Sequence, residues 1–197
     1  KRINKLDREL DYKAPIFGVY WDKGESPQLI RTHDAQGMEA NVGVDGQWAQ
    51  NDFDSAPIFG QMGEVEDTYG NRFIRIPRLY IRKHIGLDFH WVGVTTRPLP
   101  GFYLPWCFWD FEKSVELPYA DIGKYNASLS DDGKLQSVAG VPPLVSTNIV
   151  QFRNYAQANN VGGLRGYQQL DVHTYDILQT LMFTEFATLD MQSVMRG

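Results

Sequence analysis

Apolar residues recur at helical spacing over one long stretch, residues 171–192, which contains neither Gly nor Pro. Tyr175, Leu178, Met182, Phe186 and Leu189 fall at steps of three and four, and Leu181 widens the stripe. His173, Asp176, Thr180, Thr184 and Thr188 fall on the other side. This period predicts an amphipathic helix with the first set buried and the second facing water. Asp171 is the expected N-cap. One apolar stripe is not stable alone in water, so the rest of the chain must supply a partner.

Elsewhere the pattern is that of short strands. Residues 16–21 predict a strand ending at the Asp22-Lys23-Gly24 turn, and 28–32 a second that pairs with it as a hairpin. The strongest strand pattern, 71–83, is interrupted at Pro77, because proline has no amide hydrogen to give a ladder. Residues 89–94 are its expected hairpin partner. Residues 119–129 predict another strand, 130–134 a turn, and 135–138 its continuation. Thr147 or Asn148 caps a helix over 149–158, which the Asn-Asn-Val-Gly-Gly run at 159–163 stops. Strands followed by two helices make an α+β domain rather than an alternating β/α one. At the front, Ile3, Leu6 and Leu10 have a/d spacing, which fits either the end of a coiled coil or a short amphipathic turn packed on its own domain. The expected organisation is a stalk end or linker over 1–14 and one domain over 15–197.

Composition narrows the chemistry. The 197 residues are 43% hydrophobic and 13% aromatic, with a net charge of −5 and both signs scattered. Neither a nucleic-acid partner nor a membrane span is expected. The single cysteine, Cys107, excludes an internal disulfide and a cysteine-rich zinc site. Set between Trp106 and Phe108, it reads as a buried, inert thiol. His84, Asp88 and His90 are the nearest approach to a ligand cluster, but their spacing matches no zinc signature. Neither metal nor cofactor is expected. Asp131-Asp132-Gly133 reads as a β-turn rather than a calcium loop. Glu185 sits at the edge of the apolar stripe, where a carboxylate must find a partner; it is expected to tie the helix to a neighbouring segment. No hydrolase or nucleotide motif is present. Glu112 and Glu116 are the nearest thing to a carboxylate pair, in a proline-bounded segment without signs of a cleft. A binding or structural protein is therefore expected before an enzyme. Residues 97–111 hold three prolines and many rings, which either fill core space under loops or form an exposed patch. Trp91, Trp106 and Trp109 are the candidate ligand-binding residues.

Several blocks resemble, in order, a family of tailed-phage virion proteins. They are Phe-Gly-Val-Tyr-Trp-Asp at 17–22, Pro27 with Arg-Thr-His-Asp-Ala-Gln-Gly at 31–37, and Asp-Phe-Asp-Ser-Ala-Pro at 52–57 with Gly60 and Met62. Phe-Ile-Arg-Ile-Pro-Arg-Leu-Tyr at 73–80, Gly101-Phe102 and Tyr-Ala-Asp-Ile-Gly-Lys-Tyr-Asn-Ala at 119–127 follow. Leu-Gln-Ser-Val-Ala-Gly-Val-Pro at 135–142 and Glu-Phe-Ala-Thr-Leu-Asp-Met-Gln-Ser at 185–193 close the match. The resemblance implies a tail-fibre, tail-tip or other adsorption protein with a C-type-lectin-like fold, related to that of the formylglycine-generating enzyme. It implies non-catalytic recognition of a bacterial surface glycan or protein. It also implies a homo-oligomer, with a trimer among the stoichiometries, joined to other virion proteins after assembly in the host cytoplasm. The alternative is a head fibre, collar or decoration protein that binds no receptor. The family continues past the long helix into a Gly- and Trp-rich half, so the C-terminal part of the fold is expected to be missing here. The aromatic runs His90-Trp91 and Trp-Cys-Phe-Trp at 106–109 depart from the family pattern.

Overall fold

A computed structural model of the protein describes residues 14–23, 29–43, 49–162 and 166–194. Residues 1–10, read above as a stalk end or amphipathic turn, lie outside the described residues. In chain order the described strands are β1 (Ile16–Asp22), β2 (Ile30–His33), β3 (Gly63–Glu66), β4 (Arg72–Pro77), β5 (Tyr80–Ile85), β6 (Phe89–Thr95), β7 (Trp109–Asp110), β8 (Val115–Glu116), β9 (Tyr119–Gly123), β10 (Ser128–Leu129) and β11 (Leu135–Gln136). The α-helices are α1 (Ile149–Gln157) and α2 (Val172–Phe186). Small sheets, mostly antiparallel hairpins, with two helices make the α+β class expected from the element order. The chain divides into two compact units. Of the described residues, one holds those up to Gln61, Pro77–Pro118 and those from His173 on; the other holds those within Met62–Ile76 and Tyr119–Val172.

The first unit is built on a four-stranded antiparallel sheet in the order β2-β1-β6-β5. Both hairpins expected from the strand patterns form. The strand expected over 71–83 is two strands, because Pro77 ends β4 and the chain re-enters a ladder only at Tyr80. The two halves enter different sheets. Phe17 from β1 meets Phe53 and Phe59 from two 3-10 turns, Asp52–Ser55 and Phe59–Gln61, at ring separations of 6.2 and 5.6 Å. Phe53 and Phe59 lie 4.8 Å apart. Between the turns Ile58 is fully buried at φ 75°, a conformation that is strained for a β-branched residue.

Helix α2 lies against one face of this sheet, but not by the stripe expected. Thr174, Ile177, Thr180, Leu181 and Thr184 are its buried residues, whereas Tyr175 is 51% exposed. The buried face is turned by one residue, about 100° on a helix of 3.6 residues per turn. Thr184 tolerates burial partly because it satisfies itself within the helix: its hydroxyl donates to the Thr180 carbonyl at 2.8 Å. The helix ends at Phe186, where Ala187 takes φ 50°. Glu185 does tie the helix down. Its carboxylate accepts from the Asn51 amide at 2.7 Å, and its backbone carbonyl accepts from the Arg31 guanidinium. Burial pushes the Glu185 carboxyl up and the Arg31 guanidinium down.

In the second unit β3, β4 and β9 form one sheet, and β10 and β11 a hairpin turned at Gly133. Asp131–Gly133 is thus the β-turn expected. Asn148 starts α1 with a capping box completed by Gln151. Asp67 organises the β3–β4 connection. Its carboxylate accepts from the Tyr69 and Asn71 amides, the Asn71 side chain and the Tyr167 hydroxyl, at 2.7–2.9 Å. Burial works to raise this carboxyl, and the hydrogen bonds from Asn71, Tyr167 and Tyr69 overcome it, leaving it below its ordinary value. A lowered carboxyl contributes stability above its unfolded value that is lost as pH falls through the folded one. Asp67→Asn is therefore expected to lose about 1–3 kcal/mol near pH 7. The difference from wild type should narrow toward pH 3, below the unfolded value, as the folded-state carboxyl begins to take up protons. Urea titrations at both pH values check this, and a pH-independent difference would contradict it.

Candidate binding faces of the four-stranded sheet

Side chains alternate across a strand, so the antiparallel register sorts the sheet into two faces. On the open face Gly18, Tyr20, Phe89, Trp91, Gly93 and His84 fall together. Two of its rings lie down on glycines. A Cβ at Gly93 would sit 2.7 Å from Trp91 Cζ2, and one at Gly18 3.0 Å from the same atom. The Trp91 indole N–H donates to Thr32 Oγ1 at 3.0 Å. The ring therefore starts on β6, crosses β1 where no side chain stands, and is tethered on β2. His33 flanks it at 5.3 Å and Phe102 meets it edge-on at 6.3 Å. Phe89 folds over Gly86, where a Cβ would meet its Cε1 at 2.8 Å. Its ring stacks between Tyr20 at 5.5 Å and His84 at 5.2 Å, each tilted by 23°. Ile30, 64% exposed, lies opposite Tyr20 at the sheet edge. The result is a band of rings fixed by packing rather than by a flexible loop.

The three candidate tryptophans do not form one site: no ring contact joins any two of them among the described residues. Trp91 is half-buried in the band. Trp106 is 62% exposed on a 3-10 turn, Trp106–Phe108, against His173 at 4.5 Å and Phe111 at 6.2 Å. Trp109 is half-buried at the start of β7. The aromatic connection over 97–111 is thus both things at once, since Phe108 is buried while Trp106 and Phe111 are exposed. Cys107 is half-buried, not enclosed as expected. Sequence reasoning missed Tyr20 and Phe89, and weighed His84 only as a metal ligand. The β5–β6 hairpin could have put His84 in register with Trp91, whereas Tyr20 reaches it only through the pairing of β1 with β6, which are distant in sequence.

The opposite face carries Val19, Trp21, His90, Val92 and Lys83, and α2 lies over it. Between them is a cleft of about 220 Å³. Lys83 and Asp176 form an ion pair from β5 to α2 beside it. His84 and His90 point to opposite faces, one stacked on Phe89 and the other tilted against Trp21, so they do not converge on a metal. No group of three metal-ligating side chains occurs among the described residues. Glu116 accepts from the Tyr80 hydroxyl and pairs with Arg78, both at structural distances of 2.9 and 2.8 Å. No helix among the described residues is long and apolar enough to cross a membrane.

No family model, curated protein or solved structure matches the chain. Its chemistry is therefore read from the two faces themselves. The open face offers π surface, a few donors and no assembled nucleophile. The covered face offers a small cleft with an apolar floor and a polar rim.

Proposed function

We propose that this protein is a non-enzymatic virion adsorption module of a tailed phage, with a C-type-lectin-like domain that binds a bacterial surface glycan. The observation that carries the reading is the band formed by Tyr20, Phe89, His84 and Trp91 on the open sheet face. Rings held in place by stacking and by packing on glycines present hydrophobic area at little entropic cost on binding, which suits the C–H faces of sugars. The ordered blocks that resemble the phage family, and an α+β arrangement of short strands with two helices, support the same reading. The module works as a homo-oligomer on the virion, where several weak contacts add up to firm attachment.

Virions labelled with an antibody to this domain are expected to carry the label at the tail tip and to lose adsorption. Tyr20→Ala should weaken binding of the purified protein to host cells by about tenfold, the scale of one interfacial aromatic anchor. Label on the head or neck with normal adsorption would overturn the reading. It would identify the protein as a head-fibre, collar or decoration component instead.

A further inference from the structure

We propose that the cleft between α2 and the covered sheet face binds a single neutral sugar ring. The site opens on the face opposite the aromatic band and goes beyond the adsorption reading: of the band only Trp91 borders it, and Trp21, Lys83, Asp176 and Gln179 supply the contacts. Its volume of about 220 Å³ equals about seven liquid waters at roughly 30 Å³ each. That is short of the roughly 300–1,000 Å³ of sites for drug-sized ligands. One ring fits, and an oligomer does not.

The lining selects the class. Val19 and Val92 from the sheet, with Phe183 and Leu189 from the helical side, are apolar. Trp21 adds an aromatic wall, braced by His90 at 4.9 Å. The rim is polar: Lys83 and Asp176 pair there, and Gln179 follows Asp176 by three residues, on the same side of α2. Neither the Gln179 amide nor the Trp21 indole N–H has a hydrogen-bond partner among the described residues. A pyranose matches both characters. Its C–H face covers the indole and the apolar floor. Its hydroxyls each donate and accept, so one can give to Asp176 while taking from Lys83, and a neighbour can meet the Gln179 amide at both ends. Lys83 and Asp176 cancel in charge. An ionic ligand would have to separate them, whereas a neutral polyol bridges them intact. A plain acyl chain would leave the rim unpaired against it.

The test is a saturation-transfer NMR titration of the full chain. The probes are methyl glucoside, methyl galactoside and N-acetylglucosamine as neutral rings, glucuronate as an anionic one and octanoate as an apolar chain. At least one neutral ring is expected to bind with a Kd on the order of 1 mM, ahead of glucuronate and octanoate. Gln179→Ala should weaken that binding by about five- to tenfold, the worth of one hydrogen bond. Because this amide holds nothing else in place, the variant keeps its fold, which an unchanged thermal melt verifies. Lys83→Met, which breaks the pair, should bring a loss of similar size. No response to any neutral ring, a preference for glucuronate or octanoate, or binding indifferent to Gln179→Ala would each overturn the proposal.

Discussion

Phe53→Ala is expected to remove about 3–5 kcal/mol from the stability of the first unit, the usual loss when a buried phenyl ring is deleted. The side chain is fully buried and is the common neighbour of Phe17 and Phe59. It also covers the Arg31 guanidinium, which lies 5.6 Å above the ring and donates to the last turn of α2. Removing the ring leaves a cavity and exposes that partly buried cation to a reorganised surrounding. Domains of this size hold only about 5–15 kcal/mol in total, so the loss would reach a large share of it. Urea denaturation followed by tryptophan fluorescence measures the effect. Phe53→Leu, which keeps most of the volume, should lose less than half as much. A loss below about 1 kcal/mol for the alanine variant, the level of an ordinary substitution, would show that the core centres elsewhere.

Gly60→Ala is expected to be nearly as damaging, at about 3 kcal/mol, the upper end of overpacking effects. The reason is space rather than backbone angle. A Cβ there would overlap the Asp54 carbonyl oxygen and lie 2.8 Å from its carbon. That carbonyl belongs to the turn whose Ala56 amide donates to Phe53 and whose Ala56 carbonyl accepts from Gly60. Backbone tied at both ends cannot give way as a flexible side chain would. Gly37 provides the contrast. It has φ 81° with nothing within 4 Å of an added Cβ, so Gly37→Ala meets only the left-handed strain of about 1–2 kcal/mol. Thermal melts of the two variants should therefore separate clearly. Equal losses would mean that the Phe53–Phe59 segment yields more easily than its packing indicates.

The β1–β2 and β5–β6 hairpins and the turn at 130–134 were legible because their signals are local; β3, β7 and β8 were not expected, and the strand expected over 119–129 is broken into β9 and β10. Pro77 marks a break wherever it stands in a ladder, and Asn148 with Gln151 makes a cap from four residues. The buried side of α2 was not legible in the same way. Its apolar residues, among them Leu178, Met182 and Phe183, spread around the helix, so the period left two defensible faces one residue apart. The choice was made by partners distant in sequence: Asn51 and Arg31 hold Glu185, and Lys83 holds Asp176. The candidate site was half legible. Trp91 could be singled out by its ring alone. That it lies flat depends on Gly18, which is far from it in the chain and became its neighbour only through the register of β1 with β6. Trp106 and Trp109 drew attention for the same compositional reason and landed elsewhere, since composition carries no register.

The position of α2 in the chain has a consequence for how the protein is made. The strands it covers are complete by Thr95, and its last turn ends at Phe186. At translation rates of about 5–20 residues per second, those intervening residues take roughly 5–20 s to emerge from the ribosome. Through that interval the face bearing Val19 and Val92 has no helix over it. A nascent chain in this state is a client for holdase chaperones, and a transcript cut before the α2 codons would yield a product prone to aggregate. Recovery of soluble protein should then depend on chaperone supply during synthesis more steeply than the stability of the finished fold would indicate.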